Sequence, residues 1–269
     1  MAPMMIDDHS ESASRRDKCD SNQLIIRTAT LNEVSTLVDI EFRAFSHEHV
    51  NHVLSFRDYS KPAHIERTRK AYSMLLTDLT IKALRCSSRA SRNRAQSGYE
   101  TSDHDFASDK GSPQATAKFW TVRDSLSGEV VSFARTEMKA YTCDELHGPE
   151  DVGHQADPIM NRDWFALNER VRRQFVGVEK HYYIAMLATK PEAQKQGAGT
   201  MLLTAILADA DKNGVPVYLE ATTSARPLYE KHGFVALQTI EFDPANYGVY
   251  GLGVERQTAM VRGELQTIG

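Results

Sequence analysis

The sequence predicts a single α/β domain of the α+β kind, with a mixed, mostly antiparallel central sheet of about seven strands flanked by helices. Three observations predict it. Runs with strand character and helical stripes follow the order β-α-α-ββ-β-α-β-α-β-β. The run His181–Thr189 is nearly all apolar, which calls for cover on both faces. Ala117–Val122 and Val130–Ala134 flank the turn Leu126-Ser127-Gly128-Glu129, which reads as a hairpin.

Taken in order, residues 1–21 are polar and acidic and read as a disordered tail. The domain proper spans 22–263. Leu24–Arg27 is a short strand rich in β-branched residues. Thr30 and Glu33 fit a capping box ahead of a stripe of Val34, Leu37, Val38, Phe42 and Phe45. A second helix runs from Ile65 to Leu84. Periodicity then collapses, and 87–113 reads as an insertion rich in Ser, Arg, Asp and Gly. After the hairpin comes a second irregular insertion, near 141–160. Asn161 can cap a helix carrying Trp164, Leu167, Val171 and Phe175. Pro191 ends the strong strand at 181–189, and a helix follows from Gly197 to Lys212, closed by Asn213-Gly214. Val217–Ala221 is a strand, Ala225–His232 a short helix, and Phe234–Phe242 and Gln257–Arg262 are the last two strands.

Composition excludes several classes. The net charge is −4, so nucleic-acid binding is not expected. The longest apolar run, Tyr182–Ala188, is too short to span a bilayer, and no export signal opens the chain. A cytoplasmic protein is expected, with the nucleus possible, as a monomer or homodimer. Cys19, Cys86 and Cys143 fit no zinc or disulfide spacing and read as free thiols. His47, His49 and His52 stand at a spacing that suits no common metal site, so no metal is expected.

The chemistry concentrates in Leu187–Leu203. A buried strand runs into a loop whose glycines open a helix. Glycine permits left-handed backbone and close approach of a ligand. Unpaired amides at a helix start, with the dipole behind them, form a cradle for a diphosphate. The spacing is not that of a P-loop, and the third glycine of a dinucleotide fingerprint is missing.

Gln194-Lys195-Gln196-Gly197-Ala198-Gly199 resembles the Gln/Arg-x-x-Gly-x-Gly/Ala signature of the GNAT acyl-CoA N-acyltransferase superfamily. Met186-Leu187-Ala188-Thr189, followed by Pro191, resembles that family's fourth strand. Leu228-Tyr229-Glu230-Lys231-His232-Gly233-Phe234 resembles its Leu-Tyr-x-x-x-Gly-Phe segment. The likeness is tight over Tyr182–Phe242 and looser over 24–45 and 117–138. It implies a sheet splayed between strands four and five, with the pantetheine arm of acetyl-CoA in the opening. It implies cofactor contacts from Met186, Leu187, Ala188 and Thr189, and from Gln194, Lys195, Gln196, Gly197, Ala198, Gly199 and Thr200. Tyr229 takes the place of the family's general acid. Many members carry Asn seven residues before that tyrosine; Thr222 stands there instead.

The general base is open between His181 and Glu220, because the positions that relatives use for it hold Tyr183 and Ala185. By simple alternation His181, Tyr183, Ala185 and Leu187 share a face. Phe45, Trp164 and Tyr183 are candidate acceptor contacts. The resemblance implies direct acetyl transfer to a primary amine, favouring a small molecule. A protein lysine or N-terminal acetyltransferase is the alternative, and a non-catalytic acyl-CoA-binding regulator is a third reading.

Overall fold

The computed structural model describes residues 24–95, 116–150 and 158–265. The expected tail, residues 96–113 of the first insertion and 151–157 of the second lie outside the described residues.

Seven strands form one sheet: β1 (Leu24–Thr28), β2 (Thr116–Asp124), β3 (Val130–Lys139), β4 (His181–Thr189), β5 (Val217–Thr222), β6 (Val235–Phe242) and β7 (Glu255–Arg262). Their spatial order is β1-β2-β3-β4-β5-β7-β6. Every neighbouring pair is antiparallel except β4 and β5. The hairpin turns at 125–129, where Asp124 Oδ1 accepts from the amides of Leu126 (2.9 Å) and Ser127 (2.8 Å). An aspartate beside a tight turn gains such bonds readily.

Helices cover both faces. The helix α6 (Ala198–Asn213) lies on one face. Its Leu202, Leu203 and Ile206 are fully buried against Val122, Ala134, Tyr182 and Ile184. Each such side chain contributes roughly 1.5–3 kcal/mol by leaving water. The opposite face carries α1 (Val34–Ala44) and α3 (Pro62–Ala95) over Phe119, Phe133, Met186 and Ala188. Further along that face, α2 (His49–Leu54) and α5 (Ile159–Val176) pack on Tyr218, Ile240, Phe242 and Ala259. Two short helices remain, α4 (Cys143–His147) and α7 (Arg226–Glu230).

Several expectations shift. Helix α3 continues to Ala95, so the first insertion begins no earlier than residue 96. Arg and Ala sustain a helix, and no Gly or Pro interrupts the chain from Leu84 to Ala95. The second insertion contains α4, capped by Thr142, whose hydroxyl accepts from the amide of Glu145 (3.2 Å). Helix α5 starts behind Pro158 rather than at Asn161. The Asn161 amide instead turns inward and donates to the carbonyls of Val53 (2.9 Å) and Leu54 (2.8 Å). The Thr30–Glu33 box forms, with Glu33 Oε2 accepting from the Thr30 amide at 2.7 Å. It opens a 3-10 turn ahead of α1.

Strand β4 carries a bulge. Arg135 pairs with Met186 while Thr136 pairs with Ile184, so Ala185 is the extra residue. A bulge breaks strict alternation. Before it, Tyr182 and Ile184 join the α6 core; after it, Met186 and Ala188 join the α1 core. Leu187 packs on the α6 side and Tyr183 on the α5 side. The shared face expected for Tyr183 and Leu187 is thereby corrected. Among the described residues, no helix is long and apolar enough to cross a membrane.

Candidate active site

The cradle is built from the end of β4 to the start of α6. Lys195 (φ 61°) and Gly197 (φ 91°) turn the backbone through the left-handed region before the helix begins. The Met201 amide bonds Gly197 O at 2.9 Å, the first regular bond of the helix. Among the described residues, the amides from Lys195 to Thr200 donate to no carbonyl or side chain of the protein. These unpaired donors stand where the helix dipole is positive. Two side chains brace the loop: Gln194 Nε2 donates to Thr189 O (3.2 Å) and Gln196 Nε2 to Glu192 O (2.8 Å). A Cβ on Gly199 would stand 3.6 Å from Leu187 Cδ2 and 3.7 Å from Leu228 Cδ2. Those are ordinary van der Waals contacts, so an added Cβ would fit there.

The parting of the sheet lies beside this cradle. Strands β4 and β5 pair at only two positions, Tyr182 with Val217 and Tyr183 with Tyr218. Strand β5 is fully paired with β7 on its other edge, from Val217 to Thr222. From Ile184 to Thr189, β4 therefore has one edge without a strand partner, as the resemblance implies. The bulge at Ala185 falls where the strands separate.

Polar side chains crowd the apex of the parting on the α5 side. Tyr183 Oη donates to Glu220 Oε2 at 2.9 Å. The Arg172 guanidinium stacks 3.9 Å from the Tyr183 ring centroid and pairs with Glu169 at 2.9 Å. Its Nε lies 3.8 Å from Glu220 Oε1. Burial pushes the Tyr183 phenol well above its ordinary range, so it stays a donor at neutral pH. Lys139 reaches toward the same ring, and burial beside Arg172 pulls its ammonium below the usual lysine range. Burial works against ionisation of Glu137, but Arg135 and Lys139 outweigh it and hold its carboxyl below the ordinary value.

The two base candidates differ. His181 is fully buried, with Nδ1 2.8 Å from Glu179 O. Burial lowers its pKa to about 4, so the ring is neutral and weakly basic. Glu220 lies just past the last rung, and its Oε1 is buried with no hydrogen-bond partner.

Tyr229 is buried in the α6 core, edge-on to Phe234 at 5.6 Å. Burial alone raises its phenol well above the ordinary value, which keeps it protonated. Thr222 ends β5, its hydroxyl 3.0 Å from that of Ser224. Phe45 ends α1 beneath the Arg57 guanidinium, 4.7 Å from its ring centroid. Trp164 is 2% exposed and packs edge-on to Phe242 at 5.6 Å. It is a buried side chain of the core cluster against which Tyr183 also packs. No group of three His, Cys, Asp or Glu among the described residues forms a cage for a metal ion.

Sequence reading missed Arg172, Glu169 and Tyr218. The available signal was the face of α5: positions 168 and 172 follow Trp164 at helical spacing yet hold Asn and Arg. A polar pair on a buried face announces an internal network.

Residues 164–244 match a family model described as an acetyltransferase (GNAT) domain. That stretch is similar to a GNAT acetyltransferase domain. The matched stretch contains α5 from Trp164, β4, the cradle, β5 and α7. No curated protein matches the chain. Among solved structures, mosquito arylalkylamine N-acetyltransferase like 5b is similar at 12% identity and TM-score 0.56, over 89% of this chain and 99% of that one. The histone acetyltransferase HPA2 and related acetyltransferase from Corynebacterium glutamicum gives 19% identity and TM-score 0.47, over 91% and 99%. PaiA N-acetyltransferase from Thermoplasma acidophilum, in complex with coenzyme A, gives 13% and 0.44, over 90% and 99%. At these identities the likeness is one of fold.

Proposed function

We propose that this GNAT domain binds acetyl-CoA and transfers the acetyl group directly to the primary amine of a small molecule. The observation that carries the reading is the coincidence of two features. A run of unclaimed amides, Lys195 to Thr200, opens α6, and beside it β4 and β5 share only two rungs. Those amides would hold the diphosphate, helped by the Lys195 charge. Backbone groups of Leu187 and Thr189 would hold the pantetheine along the free edge of β4. The bound thioester supplies an activated acyl group.

The protein then has two proton tasks. An alkylammonium of pKa ~10.4 costs roughly 4–5 kcal/mol to deprotonate at pH 7. Glu220 Oε1, buried and unpartnered, is the acceptor we assign to that proton. His181, whose Nε2 is likewise buried and unpartnered, lies on the far side of the two β4–β5 rungs from the opening and is the poorer candidate on that placement. Tyr229 Oη, kept protonated by burial, is the donor we assign to the departing sulfur.

A small acceptor suits the cover over the opening. Ser224, past the end of β5, donates to Glu48 Oε1 at 2.9 Å, and Asn51 on α2 donates to Glu255 Oε1 at 3.2 Å. These bonds tie the α1–α2 region to β5 and β7, and we read that cover as favouring a small acceptor.

The test couples calorimetry with CoA to thiol release on a panel of small amines and lysine-bearing or N-terminal peptides. Thiol release with small amines supports the reading. Turnover confined to peptides moves the acceptor to proteins, and CoA binding without any turnover makes the chain a binder alone.

A further inference from the structure

We propose that Arg172 is a positioning residue: its guanidinium fixes the Glu220 carboxylate and the Tyr183 ring together, leaving Glu220 Oε1 unclaimed for a proton. The inference rests on Glu220 being the base assigned above.

The argument begins with cost. Arg172 is 6% exposed, and an unpaired guanidinium at that depth costs several kcal/mol. Glu169 does not by itself account for it. Glu169 already pairs with Arg173 at 2.9 Å, so one guanidinium satisfies that carboxylate without Arg172. What Arg172 adds is reach toward β4 and β5. Its plane lies on the Tyr183 ring, and Tyr183 in turn holds Glu220 Oε2. Three side chains from α5, β4 and β5 thus meet at the apex of the parted strands.

The gap between Arg172 Nε and Glu220 Oε1 is the telling feature. At 3.8 Å it is too long for a hydrogen bond and short enough for strong Coulomb attraction. Both atoms are buried and neither has a hydrogen-bond partner. A purely structural ion pair at this depth gains by closing that gap, because each orphaned polar atom costs roughly 1–3 kcal/mol. Here one carboxylate oxygen is anchored by a phenol while the other keeps its lone pairs, with a cation 3.8 Å away. That arrangement suits a base better than a strut.

Other groups facing the cluster are Glu137, Lys139 and Arg135 on β3, His181 on β4, Tyr218 on β5, Glu169 and Arg173 on α5, and Tyr141. Lys139 and Arg135 are already engaged by Glu137. Arg172 is the cation paired with Glu220.

The experiment is the pH dependence of kcat/KM for an alkylamine acceptor, with CoA affinity measured alongside. Arg172→Gln removes the cation and makes the neighbouring carboxylate hold its proton more tightly. The acid limb should move up by about one pH unit or more, with CoA affinity changed less than about threefold. Arg172→Lys keeps the charge and should return the limb toward its original position. That variant also serves if Arg172→Gln does not fold: a limb held in place with lowered kcat supports the inference. Glu169→Gln disturbs the same ion cluster without touching Glu220 and should leave the limb where it is. A limb unmoved in Arg172→Gln, or moved equally in Glu169→Gln, overturns the inference. Glu220→Gln separates the two levels. If it retains wild-type rate and limb, the base assignment itself fails. If it is impaired while Arg172→Gln keeps its limb, only the role of Arg172 fails.

Discussion

Tyr183, on the last rung that joins β4 to β5, donates its hydroxyl to Glu220 Oε2 at 2.9 Å. That bond spans the point where the sheet stops being continuous. It fixes a carboxylate beside the opening that the cofactor is proposed to fill, and the first prediction concerns that carboxylate.

Glu220→Gln keeps the size of the side chain and removes its basicity. With alkylamine acceptors kcat/KM should fall about 10²–10⁴-fold. With a weakly basic aromatic amine or hydroxylamine, already neutral at pH 7, the fall should stay within about tenfold. Steady-state kinetics on the two acceptor types decide it, and equal losses on both would remove Glu220 from proton transfer.

Tyr229→Phe should lower kcat about 10²-fold while CoA affinity stays within about twofold. Burial keeps the phenol protonated across the working pH range, so its task is donation. Calorimetry beside turnover measures the split. Parallel loss of affinity and turnover assigns Tyr229 to packing against Phe234.

Gly197 sits at φ 91°, and a Cβ there would meet nothing within 4 Å. Gly197→Ala should therefore cost only backbone strain, about 1–3 kcal/mol. Gly197→Glu carries the same strain and adds bulk and negative charge before the free amides. It should abolish CoA binding while circular dichroism keeps the native spectrum. Unchanged affinity in the glutamate variant would falsify the cradle assignment.

His181 links stability to pH. Its folded pKa, about 4, lies below the ordinary value near 6.5. As pH falls from 6.5 toward 4, the unfolded chain takes up a proton that the folded one refuses, so stability is lost through that window. The loss attributable to this group is about 3 kcal/mol at most. In His181→Gln, denaturation midpoints followed from pH 7 to pH 4 should decline less steeply than in the parent. Parallel curves would mean that the ring protonates freely in the fold.

Much of this was legible in the sequence, and the reasons are local. His181–Thr189 was readable because an unbroken apolar run ends at a proline. The turn into α6 was readable because Gly197 and Gly199 stand between a strand and a helical stripe. What escaped depended on partners distant along the chain. The bulge at Ala185 is a mismatch with β3, invisible in β4 alone, and it changes which side chains share a face. Asn161 has the chemistry of a cap, yet the carbonyls of Val53 and Leu54 claimed it. Arg172 went unread because its ion partner Glu220 lies 48 residues further on, in another element. Trp164, a candidate acceptor contact, is 2% exposed and packs in the core cluster that Tyr183 also touches.

The strand order also governs how the molecule is assembled. Strand β6 is bonded to β7 alone, and β7 also seals the outer edge of β5, which clings to β4 by two rungs. The half of the sheet beyond the opening thus cannot close until residues 255–262 arrive. During synthesis the glycine turn into α6 and the β1–β4 half can form first, while β5 and β6 wait for a strand made after both. A released chain truncated near residue 250 should therefore present an ordered first half beside a second half still open to protease.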